Sequence, residues 1–98
     1  MSFYEFLWES VKKPELLLEY ARRAGLVVYA DIKGDFYDRL KLVAKLSVDV
    51  FEAEISRLDV EMPQVKERCR DVRRFVLEAR QDLEEAGRDA SDLRAPTC

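Results

Sequence analysis

Between Phe36 and Val60 the polar residues Asp38, Lys41, Lys45, Asp49, Glu52, Ser56 and Asp59 fall on one narrow stripe when residues are placed at ~100° steps around a helix. Nearly everything else in that stretch is apolar, including Phe36, Tyr37, Leu40, Val43, Leu46, Val50, Phe51 and Ile55. A helix with so little polar circumference cannot lie on a surface; it must be covered on two or three sides. The pattern therefore predicts a central helix that starts after Asp35, as N-cap, and runs to about Glu61. The rest of a 98-residue chain has to supply its cover.

Two short helices precede it. Ser2 and Glu5 form an S-x-x-E capping box ahead of an apolar face made by Phe3, Tyr4, Phe6, Leu7, Trp8 and Val11. Pro14 ends that helix or opens the next. Residues 14–24 turn Leu16, Leu17, Tyr20, Ala21 and Ala24 inward, carry Arg22 and Arg23 in the last turn, and stop at Gly25. Residues 26–34 are β-branched and strand-like at Leu26-Val27-Val28-Tyr29, yet the chain holds no second strand to pair with them. They are a buried loop, a short helix, or an edge that pairs with another copy, and coil is the expectation.

The fourth helix is predicted from Pro63 to about Ala86, with Gly87 as its stop. Val65, Cys69, Val72, Val76, Ala79, Leu83 and Ala86 are spaced alternately four and three apart, a coiled-coil seam. The fold expected is all-α: one helical domain over residues 1–86, with two short N-terminal helices packed on a long antiparallel helical hairpin. Residues 87–98 read as a mobile C-terminal tail.

Charge supports folding at Met62-Pro63. Residues 49–61 carry net −4 and residues 63–74 net +3, while residues 35–48 carry +1 and residues 78–86 carry −3. An antiparallel hairpin would pair these halves along its length, and so would an antiparallel dimer through the fourth helix. At ~1.5 Å per residue such helices reach roughly 36–40 Å, more than the ~33 Å diameter of a compact chain this size. Leftover apolar surface then favours a homodimer or larger homo-oligomer, with Trp8, Val72, Val76 and Leu83 as the expected interface. A heterologous protein partner is the other occupant of such a surface.

The composition excludes several chemistries. The chain has no His, which removes Ser-His and Cys-His catalysis and His-ligated zinc. It has no Gly-rich phosphate loop and no C-x-x-C pair, so no cofactor, metal or catalytic residue is expected. Glu54 and Arg57 interrupt the apolar arc, and Glu54 is expected to be an ion-paired residue, with Arg57 or with a base of the fourth helix such as Arg68. Cys69 lies on the apolar seam and reads as a core thiol; Cys98 is free or bridges two chains. Scarcity of Asn, Gln, Thr and His beside abundant Arg, Glu and Asp is a thermophile-like composition. No membrane-spanning run or signal peptide is visible, and the location expected is cytoplasmic.

The function expected is a non-enzymatic helical interaction or assembly module: a structural subunit, adaptor or small regulator. The alternative is a nucleic-acid-associated protein using the basic stripe Lys66, Arg70, Arg73 and Arg74. A net charge of −3 and the lack of nearby stacking aromatics weigh against it. The Ala21-x-x-x-Gly25 spacing of a helix-turn-helix is followed by a segment with Gly34, a poor recognition helix.

Overall fold

A computed structural model describes residues 1–30, 32–57 and 62–98, in four helices: α1 (Phe3–Lys12), α2 (Glu15–Arg23), α3 (Phe36–Ser56) and α4 (Met62–Glu85). No strand is present among the described residues. The starts of α1, α2 and α3 have local causes. The Ser2 hydroxyl accepts from the Glu5 amide at 3.1 Å, and Asp35 and Asp38 cap each other reciprocally at the start of α3. Pro14 precedes α2 as its N-cap.

Both glycine stops have the same geometry. Gly25 has φ +87°, its amide donates to Arg22 O, and the next amide, of Leu26, donates to Ala21 O. Gly87 has φ +73°, with the same two bonds from Gly87 to Glu84 O and from Arg88 to Leu83 O. These are Schellman caps, and the left-handed residue at their centre is the reason for glycine.

α3 is central. Leu40, Val43, Ala44, Leu46, Ser47, Val50 and Phe51 are buried along it, and α1, α2 and α4 all pack on it. Ser47 is a polar residue on the buried side, satisfied by donating to Ala44 O at 2.7 Å. α1 buries Leu7, Ser10 and Val11, and Trp8 meets Phe75 of α4 edge-on with ring centroids 4.9 Å apart. Phe3, Phe6 and Tyr20 form an aromatic cluster that ties α1 to α2. α3 and α4 run in opposite directions. Glu54, near the end of α3, meets Arg68 near the start of α4, while Asp35 and Asp38 at the start of α3 meet Arg88 beyond the end of α4. The molecule measures 39 × 25 × 24 Å with a radius of gyration of 12.9 Å.

Three expectations change. α3 ends at Ser56, with Arg57 as C-cap, instead of continuing to Glu61; Leu58, Asp59, Val60 and Glu61 lie outside the described residues, as does Asp31. Arg57 turns away to donate to the Ala24 carbonyl at the end of α2. The charge ladder between α3 and α4 is one rung among the described residues, Glu54–Arg68, because Lys41 and Lys45 pair with Asp92 and not with the acids of α4.

Third, residues 87–98 are not a free tail. Ala90 and Leu93, three residues apart on one turn, are each 2% exposed against the body. Lys41 donates to Asp89 O at 3.1 Å and pairs with Asp92 at 3.3 Å, and Lys45 pairs with Asp92 as well. Arg73 Nη1 donates to Pro96 O at 2.8 Å. A disulfide joins Cys69 to Cys98, so Cys69 is no free core thiol and Cys98 is neither free nor bridged to another chain.

The ion pairs of this segment titrate. Lys45, then Lys41, hold the Asp92 carboxyl below the ordinary aspartate value of 3.8. The amide of Asp38 and the Arg88 guanidinium do the same for Asp35. A lowered folded pKa gives stability that is present above the ordinary value and lost as pH falls through the folded one. The protection factors of the Ser91 and Leu93 amides, which donate to Asp89 Oδ1 and Ala90 O, should therefore fall on acidification below 3.8, while α1 and α3 stay protected. Unchanged protection factors at these amides through that range would remove these carboxylates from the hold on this segment.

Candidate functional site

The residues expected to form an interface with another chain are already used inside this one. Val72 and Val76 are 0% exposed and Leu83 is 1% exposed, all in the core between α4 and its neighbours. Trp8 is half-buried against Phe75. From Cys69 to Leu83 the apolar face of α4 is thus filled by α1, α3 and the closing segment, and a second copy reaches it only by displacing them; Ala86, at its end, is exposed.

The basic stripe is exposed but partly occupied. Arg74 pairs with Glu78 at 3.4 Å and lies over the Tyr4 ring at 4.0 Å from its centroid. Arg73 is bonded to Pro96 O. Lys66 and Arg70 are exposed with no ion pair among the described residues. Two open cations beside two occupied ones make a weak footprint for a phosphate backbone.

At the other end of α4 lies a polar cluster. Arg68 Nη1 donates to Glu54 Oε1 and to the Tyr20 hydroxyl, each at 2.7 Å, and that hydroxyl donates to Glu54 Oε2 at 2.9 Å. The guanidinium lies 3.9 Å from the centroid of the Phe3 ring, a cation–π contact. Burial, ahead of the bond to Glu54, raises the Tyr20 phenol above its ordinary value. The hydroxyl of Tyr20 and both carboxylate oxygens of Glu54 are partnered within this triad, which joins α1, α2, α3 and α4. Arg68 and Glu54 also line a groove of about 420 Å³ with Met1, Phe3, Phe51 and Val65. Among the described residues no group of three His, Cys, Asp or Glu side chains is placed to hold a metal. No helix among them is long and apolar enough to cross a membrane.

The surface that the expected site missed is the extended segment after α2. Leu26, Val28 and Ala30 pack on the core, whereas Val27 is 79% exposed and Tyr29 95% exposed. The alternation is that of a strand, with one face anchored and the other offered. Among the described residues, the backbone groups of residues 27–30 form no hydrogen bond to other backbone groups. The segment forms one wall of an open groove of about 500 Å³, whose other wall is Leu46, Asp49, Glu52 and Ala53 of α3. The sequence signal is Leu26-Val27-Val28-Tyr29, for which coil is the expectation and an edge pairing with another copy one of the alternatives.

Compared with family models, curated proteins and solved structures, the chain matches none.

Proposed function

We propose that this chain is a non-enzymatic assembly module, and that it self-associates through residues 26–30. The four-helix body, framed by the α3–α4 hairpin, is the scaffold that holds this segment extended. The observation that carries the reading is the exposure of Val27 and Tyr29 on a segment whose alternate residues are anchored in the core. An extended edge with unpaired backbone groups is a template for strand addition. A second copy supplies an identical edge. Antiparallel pairing about Val28 sets Val27 of one copy opposite Tyr29 of the other, a favourable β-branched–aromatic pair, and the two-fold repeats it. Tyrosine is also a favoured interface anchor, because it adds large area at low entropic cost.

The test is absolute mass by light scattering after size exclusion. The wild-type chain should elute as a dimer or larger homo-oligomer. The variant Val27→Asp with Tyr29→Asp should be monomeric with unchanged helical content, since both side chains lie outside the core. A wild-type monomer at concentrations of about 100 μM, a weak-dimer threshold equivalent to roughly 5–6 kcal/mol, sinks the self-association reading and leaves a heterologous partner as the occupant.

A further inference from the structure

The Cys69–Cys98 bridge is asymmetric in access and in charge. Cys69 is 5% exposed on α4, whereas Cys98 is exposed. Of the two bridged residues, Cys98 is the one that faces solvent. On the other side of the bond, Lys66 and Arg73 stand three residues before and four after Cys69, on the same side of α4. The Arg73 guanidinium donates to Pro96 O at 2.8 Å, two residues from Cys98. Among the described residues neither Lys66 nor Arg73 is ion-paired with a carboxylate. Cations beside a cysteine favour its thiolate, and a leaving thiol of lower pKa departs faster.

We propose that the Cys69–Cys98 bridge is a thiol–disulfide exchange site whose substrate class is a dithiol. One thiolate of the dithiol attacks Sγ of Cys98. The S–S bond breaks, and its electron pair leaves on Sγ of Cys69, beside Lys66 and Arg73. The second thiol of the dithiol, giving its proton to water, then attacks the dithiol's first sulfur in the mixed disulfide, closing the dithiol's ring and releasing Cys98 as a thiolate. Two electrons pass to the bridge, the two protons the dithiol gave to water are matched by two that the cysteines take up, and the dithiol is oxidised to a disulfide.

The full-length oxidised chain is treated with reduced glutathione, which forms the mixed disulfide but lacks the second thiol in the same molecule. Glutathione is then removed, free thiols are alkylated under denaturing conditions, and the products are mapped by mass spectrometry. Glutathione is expected on Cys98 and the alkyl group on Cys69. A glutathione adduct on Cys69, or no adduct until the chain is unfolded in urea, overturns the proposal. In a second measurement, opening by dithiothreitol at neutral pH is followed by quench and alkylation. Lys66→Gln with Arg73→Gln should slow it about three- to tenfold, and Lys66→Arg with Arg73→Lys should keep the wild-type rate. Circular dichroism checks that both variants are folded, and both positions are exposed. An unchanged rate in the glutamine variant removes the role given to the two cations and overturns the proposal.

Discussion

Replacing Cys98 with serine is expected to lower the stability of the oxidised chain by about 3–4 kcal/mol, from the entropy of the closed loop. The bridge joins residues 29 apart, so the unfolded chain loses a large share of its freedom when they are tied. For a domain of this size the loss corresponds to a fall in Tm of roughly 12–30 °C. The fall should not be confined to the global transition. Ordering backbone costs about 1 kcal/mol or more per residue, and Ala90, Leu93 and a few exposed ion pairs return less than residues 88–98 need. Without the bridge that segment should detach first, seen as lost protection of the Ser91 and Leu93 amides with α1 to α4 still protected. The wild-type chain in excess reductant should give the same unfolding curve as the variant. Equal stabilities for the oxidised wild type and Cys98→Ser would mean that the bridge contributes nothing.

Phe75→Ala is the point substitution with the largest expected cost, about 3–5 kcal/mol, from lost apolar burial and the cavity left behind. Phe75 is the largest side chain among those fully buried, and it carries the edge-on contact with Trp8 that holds α1 on α4. The single Trp gives a direct readout. Its fluorescence should shift to the red as the indole loses its ring partner, together with a lower denaturant midpoint at an unchanged m-value. A midpoint within measurement error of wild type would show that α1 is held by its other contacts. The same logic applies to Val72, Val76 and Leu83. Substitutions there should unfold the chain and not merely separate copies of it.

Much of the helical order was legible because its signals are local. Capping by Ser2 and Asp35, the stops at Gly25 and Gly87, and the burial of α3 each follow from residues within a turn of one another. Pairing of Glu54 with Arg68 was among the options that charge and helix phase allowed. What was not legible depends on distance in sequence. Cys69 and Cys98 carry no spacing rule, so their bond could not be read from either residue. Residues 87–98 look polar on average, and the two that bury, Ala90 and Leu93, are too few to form a recognisable period. The seam of α4 was read correctly as apolar, but an apolar seam does not say whether its cover comes from the same chain. Here α1 and the closing segment fill that need, and Val27 and Tyr29 are among the apolar side chains left exposed instead.

Asp49 and Glu52, on the polar stripe of α3, line the groove beside residues 26–30 and also the one beneath Asp92 and Leu93. The two non-helical segments are therefore neighbours across one row of carboxylates. That adjacency imposes an accounting between them. If closing the bridge alters the affinity of residues 26–30 for anything that binds there, then binding there alters the ease of reducing the bridge by the same factor. Redox poise and assembly state are then coupled equilibria, each shifting the other by that one factor.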